Sequence, residues 1–216
     1  MNDATQLGIP RIGTPAPDFL ATTTHGELQF SEWKGDDWVI LFSHPADFTP
    51  VCSTELGEFA RRYEEFSSRG TKLMGLSVDS VHSHLAWREN LRNILDVEIN
   101  FPVVADIDMK VSGLYGMVHP GESTTSTVRA VFVIDPVGVV RALIYYPLNV
   151  GRNVDEVLRL LDGLQTADAN ACALPVNWRP GDKVIVPPPQ TVEDLDESES
   201  NEAYERLDFY LNKRSL

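Results

Sequence analysis

VILFSHPADFTPVCSTELGEF, Val39 to Phe59, holds a strand, a short loop, the start of a helix and one of the two cysteines of a 216-residue chain. Its first part belongs to the apolar run Trp38–Ser43 (WVILFS). A run without polar alternation reads as a strand buried on both faces. Thr49 then fits an N-cap, Pro50 the first helical position, and acidic Glu55 sits early in the helix. Leu56, Phe59, Tyr63 and Phe66 recur at helical spacing, and Gly70 stops the helix.

Outward from this unit the pattern repeats. Thr71–Val78 reads as a strand, Ser80–Leu95 as a helix, and Phe101–Val104 as a short strand. Val128–Ile134 and Val139–Tyr146 read as two strands about the turn Asp135-Pro136-Val137-Gly138. Asn153–Leu164 is a helix with Val154, Val157, Leu158 and Leu161 on one face, and Glu27–Phe30 is a short edge strand. The order β-β-α-β-α-β, hairpin, α predicts an α/β domain with helices on a mixed sheet. Composition shifts after about residue 166, which divides the chain into a domain at 1–166 and an arm at 167–216. The arm is proline-rich and extended, and its acidic DLDESES segment reads as solvated. NEAYERLDFYLNKR is expected to form a last helix, with Tyr204, Leu207 and Leu211 as its stripe, Tyr210 beside it and Asp208 facing water. So short an arm has no core of its own and needs the main domain or a second subunit.

With 43% hydrophobic and 23% charged residues the composition is that of an ordinary globular protein. A net charge of −14 argues against nucleic acid and anionic membranes as partners. Two cysteines are too few for a disulfide framework, and no Cys/His spacing marks a metal site; His25, His82, His84 and His119 show no ligand pattern. The N-terminus lacks the basic and apolar segments of a signal peptide, and the apolar runs are strand-sized. The cytoplasm is the expected compartment.

A free cysteine is ordinarily a small buried hydrophobe. Cys52 differs in its place at the third helical position, beside unpaired backbone N–H groups and the positive end of the helix dipole. Both favour the thiolate. Thr49 places a hydroxyl one turn away, able to accept from backbone N–H and to donate to sulfur or a bound oxygen, and Pro45 stiffens the loop. An arginine brought in from elsewhere would complete such a site. Trp87 and the other tryptophans read as packing.

SHPADFTPVCSTELGEFARRYEEF resembles the active-site segment of the peroxiredoxins, with Pro45, Thr49 and Cys52 at the family's proline, threonine and cysteine. The resemblance is closest to the one-cysteine, peroxiredoxin-six-like subfamily of the alkyl hydroperoxide reductase and thiol-specific antioxidant superfamily. It extends through GLSVDS (75–80), VRAVFVID (128–135), YYP (145–147), GR (151–152) and PVNWRPGD (175–182) to VIVPPP (184–189). It implies a thioredoxin-like fold with a C-terminal dimerisation arm, a homodimer, and reduction of hydrogen peroxide and organic hydroperoxides without metal or flavin. Cys52 would be the peroxidatic nucleophile and pass through a sulfenic acid that an external thiol reduces. Thr49 would hydrogen-bond thiolate and peroxide, Pro45 would shield the sulfur, and Arg129 would be the missing arginine. Arg152 matches a supporting arginine and His44 a histidine that relays a proton or donates to substrate oxygen. Arg152 reads equally as a surface residue at a helix start, and His44 as a packed loop residue.

The subfamily's second, phospholipase activity uses a serine in GDSWG and an upstream histidine. Here the segment is GDDWV, with Asp37 in the serine's place and Ser31 in the histidine's, so that activity is expected to be absent. Cys172 reads as a packing residue or as a resolving cysteine, the latter in a two-cysteine mechanism. A redox sensor or holdase in which Cys52 oxidation is the signal is the alternative from another class.

Overall fold

A computed structural model describes residues 8–216; the segment expected not to be a signal peptide begins outside that range. Among the described residues no helix is long and apolar enough to cross a membrane. One unit of the chain ends at Arg152 and a second comprises Asn153–Leu216. The first contains β1 (Leu20–Thr23), β2 (Gly26–Gln29), α1 (Phe30–Lys34), β3 (Trp38–Ser43), α2 (Pro50–Arg61), α3 (Tyr63–Ser67), β4 (Thr71–Ser77), α4 (Val81–Leu95), β5 (Val103–Ala105), α5 (Lys110–Leu114), β6 (Arg129–Ile134) and β7 (Val140–Tyr146). The strands form one mixed sheet in the order β2-β1-β5-β4-β3-β6-β7. β3, β4 and β5 run parallel, while β6 pairs antiparallel with β3 and β7, and β1 with β5 and β2.

Every residue of β3 is buried, as its unbroken apolar run requires of a strand with helices on both faces. Alternate side chains serve two cores. Val39 and Leu41 join Phe132, Ile134 and Tyr115 on one face. Phe42 on the other stacks on Phe59 of α2 at 4.2 Å, which seats that helix on the sheet. Gly57 lets α2 approach closely, since a Cβ there would lie 2.9 Å from Leu95 Cδ1 at the end of α4. The β6–β7 turn closes as its composition predicts: Gly138 has φ +84° and Asp135 Oδ1 accepts from the N–H groups of Val137 and Val139.

The expected helix after Thr49 divides at Arg62, whose φ and ψ of −98° and 12° leave the helical range. Phe30, read as a strand end, instead starts α1, its N–H donating to the Phe19 carbonyl. β1 and α5 went unread because four- and five-residue segments carry too little periodicity.

In the second unit, α6 (Val154–Asn170) continues past residue 166, and β8 (Val184–Val186), α7 (Val192–Ser200), β9 (Glu205–Asp208) and β10 (Leu211–Arg214) follow. The expected last helix is corrected here. Its residues form the β9–β10 hairpin, which pairs with β8 in a three-stranded sheet. The helix lies instead in the acidic stretch before it, started by a capping box in which Thr191 and Asp194 satisfy each other's backbone N–H.

Candidate active site

Cys52 lies in the first turn of α2 and is fully buried. Thr49 caps the helix by backbone geometry, with φ −109° and ψ 147°, but its side chain makes no capping bond. The hydroxyl donates to the Ala46 carbonyl at 2.8 Å and so closes the preceding loop. In that loop Pro45 is half-buried, and Phe48, exposed, adopts a φ of +54°. A bulky residue seldom takes that conformation.

Arg129 enters from the start of β6. Its Nη1 lies 3.3 Å from Cys52 Sγ and 2.6 Å from Glu55 Oε2, while Nε and Nη2 donate to the Leu148 carbonyl. A guanidinium bound on three sides cannot turn away from the sulfur, and it presents a positive charge to it.

Glu55 was read as an acid of the early helix; it is a buried carboxylate between two arginines. Arg152 donates to it through its backbone N, Nε and Nη2 at 2.8, 2.9 and 2.8 Å. Arg152 Nη1 donates to the carbonyls of Ser43 and Ala130, and the guanidinium lies over the rings of Phe42 and Phe59 at 5.2 and 5.5 Å. The surface reading of Arg152 therefore fails: its side chain is 0% exposed. Burial alone would raise the Glu55 carboxyl, but the charge and hydrogen bonds of Arg152, with the charge of Arg129, hold it below the usual carboxylate range.

His44 is buried too, its carbonyl accepting from the Thr127 hydroxyl. Its ring meets a partner that sequence reading missed, the Asp47 carboxylate, which His84 contacts from its other side. The His-x-x-Asp spacing within one loop was a local signal; His84, on α4, could be placed only by the fold. The three side chains have the spacing of metal ligands, but the hydrogen bonds between them already use the facing atoms.

Cys172 follows the left-handed residue that ends α6, and both cysteines are free thiols. Ser31 donates through N and Oγ to Asp18, and Asp37 pairs with Lys72 at 2.9 Å.

Residues 12–143 match the AhpC/TSA family and residues 163–201 the C-terminal domain of 1-Cys peroxiredoxin. The chain is 51% identical to a peroxiredoxin of Aquifex aeolicus, over 97% of this chain and 99% of the relative. It is 50% identical to peroxiredoxin 2 of Caldanaerobacter subterraneus, over 94% and 92% respectively. Among solved structures it is similar to the yeast mitochondrial 1-Cys peroxiredoxin, with a TM-score of 0.87, 40% identity, and coverage of 96% of this chain and 100% of that one. A peroxiredoxin 6 variant of Arenicola marina gives a TM-score of 0.86 at 37% identity, covering 96% and 98%. The βα unit around Cys52, the sheet that delivers Arg129 and these matches along nearly the whole length lead to one conclusion: the chain belongs to the AhpC/TSA family, in its one-cysteine peroxiredoxin branch.

Proposed function

We propose that this chain, a thiol-dependent peroxidase by family, works through nucleophilic attack of the Cys52 thiolate on the O–O bond of a hydroperoxide. An S–O bond forms as the O–O bond breaks, the electron pair leaves on the second oxygen, and protonation gives water or an alcohol. The observation that carries this reading is Arg129 Nη1 at 3.3 Å from Cys52 Sγ. One guanidinium serves the thiolate in the ground state and the charge that spreads along the O–O axis as the bond breaks. Glu55 and Arg152 hold Arg129 in place, Thr49 holds the loop, and Pro45 screens the sulfur. The sulfenic acid is then returned to thiol by an external thiol. The yeast relative is described with glutathione and thioredoxin systems, and a reductant of that class is the one we assign.

We place the enzyme in the cytoplasm, where free thiols persist. We further assign a homodimer through the arm, because Val176, Val192, Leu207, Phe209 and Tyr210 are all more than half exposed there. We also propose a functional division near 166/167, peroxidase before and assembly after; α6 runs through that point, and the compact units themselves divide between Arg152 and Asn153. Cys52→Ser tests the chemistry: it should abolish peroxide turnover with a small dithiol and keep the fold. Turnover at the wild-type rate refutes the assignment. A single stoichiometric oxidation of the wild type without turnover favours the redox sensor.

A further inference from the structure

Asp47 stands between two imidazoles. His44 Nε2 lies 2.9 Å from its Oδ1, His84 Nδ1 lies 2.8 Å from its Oδ2, and His84 Nε2 lies 3.1 Å from the Val104 carbonyl oxygen. All three residues are buried. A ring nitrogen facing a carboxylate or carbonyl oxygen at these distances must bear the proton, because the oxygen offers only lone pairs. For His84 this puts a proton on both nitrogens, so His84 is the imidazolium of the cluster and Asp47 its counter-ion. For His44 it puts a proton on Nε2. His44 Nδ1, fully buried, has no hydrogen-bond partner among the described residues. A proton there would be an orphaned donor, and would make two cations share one carboxylate.

Other groups around the cluster agree. His44 also feels the Arg152 charge, which opposes a second cation, and burial lowers its imidazole more than Asp47 raises it. Burial alone would raise the Asp47 carboxyl, but the hydrogen bonds from His44 and His84 keep it well below the usual range. Asp79, the remaining acid here, is engaged by the Asp47 N–H and the Ser77 hydroxyl. The cluster is tied to the active site through the backbone: the carbonyl of Ser43, the preceding residue, accepts from Arg152. The His44 carbonyl accepts from Thr127, two residues before Arg129.

We propose that Asp47 and His84 are positioning residues of the peroxidase site. His84 takes up the positive charge that Asp47 would otherwise place on His44, and so keeps His44 a neutral ring whose Nδ1 accepts a hydrogen bond and does not donate one. The inference rests on Cys52 being the thiol that meets peroxide. Without His84, the Asp47 carboxylate would have one imidazole to itself, and its charge would hold a second proton, taken up from solvent, on that ring. His44 would then change from acceptor to donor. An acceptor suits the O–H that a hydroperoxide brings, whereas Arg129 already supplies a cation at 3.3 Å from the sulfur.

The test is nitrogen NMR of the reduced full-length chain labelled at histidine, near neutral pH. In the wild type, His84 should show two protonated ring nitrogens and His44 one protonated and one bare. A bare nitrogen on His84, or two protons on His44, overturns the proposal without any variant having to fold. In His84→Gln, His44 should gain the second proton. The rate of Cys52 oxidation by hydrogen peroxide should then acquire a new ionisation, falling about tenfold per pH unit below it. A loss of equal size at every pH is what a merely structural residue gives, and it too overturns the proposal. Turnover surviving in Cys52→Ser would overturn the site and its tuning together, whereas the nitrogen pattern alone overturns only the tuning.

Discussion

Replacing Glu55 by glutamine changes one atom and removes the charge that separates two buried guanidinium groups. The carboxylate accepts from Arg129 Nη1 and Arg152 Nη2 on one oxygen and from Arg152 N and Nε on the other. A glutamine can present its oxygen to one pair; its NH2 then confronts the other pair, donor against donor. Removing one partner of a buried ion pair costs about 3–5 kcal/mol. For a chain of this length each kcal/mol moves Tm by about 2–4 °C, so Glu55→Gln should lower Tm by about 6–20 °C. The effect has a definite pH sign. The folded carboxyl lies below its ordinary value of 4.5, so its stabilisation is present above that pH and is lost as pH falls through the folded value. Calorimetry of reduced wild type and variant should therefore give the full gap near neutrality and a shrinking gap below about pH 4.5. A change under about 2 °C at neutral pH would refute the argument that Glu55 balances the two arginines.

Arg129→Gln should slow Cys52 oxidation by at least about tenfold, read by stopped-flow fluorescence, since it removes the cation facing the sulfur; an unchanged rate would remove Arg129 from the site. Oxidised wild type should run as a monomer on non-reducing gels and Cys172→Ser should keep most activity, whereas a peroxide-dependent covalent dimer lost in both Cys52→Ser and Cys172→Ser would establish the two-cysteine mechanism. Removing residues 171–216 should shift the protein to monomer or aggregate on a sizing column, and a well-behaved truncated dimer would end the arm's assigned role. Purified protein should release no fatty acid from phospholipid vesicles, because Asp37 has no nucleophilic hydroxyl and Ser31 is no base; release that disappears on mutating residues 31–37 would reverse this.

The sheet was legible because its strands announce themselves by composition. WVILFS and RAVFVI are fully buried runs, and they pair antiparallel at the centre of the sheet. Cys52 and Thr49 were legible because helix starts have local chemistry. Arg129 was legible through the family resemblance, and its burial at the start of β6 is met by Glu55. Glu55 was placed early in the helix but its role was not legible, because nothing local distinguishes a solvated helix acid from one facing inward to two arginines supplied from residues 129 and 152. Asp47 and His84 share the difficulty, since their meeting depends on α4 lying against the 44–49 loop. In the arm, the hairpin at 205–214 lost to a helical reading because its pairing partner, β8, lies in a proline-rich stretch that looked irregular.

On the mechanism proposed above, the full burial of Cys52 sets the two halves of the cycle at odds. Hydrogen peroxide is hardly larger than water, and small breathing motions admit it. On the proposed mechanism a reducing thiol attached to a peptide or protein is far larger than peroxide, and the buried sulfur is expected to come out to meet it. The expected route is an opening of the first turn of α2, next to Phe48, which is held at a φ of +54° just before the helix cap. Such backbone costs about 1–3 kcal/mol. Oxidation is then governed by chemistry and reduction by an opening equilibrium. A crowding or stiffening agent that leaves the first step untouched should let the sulfenic acid accumulate, and with it the chance of irreversible over-oxidation by a second peroxide.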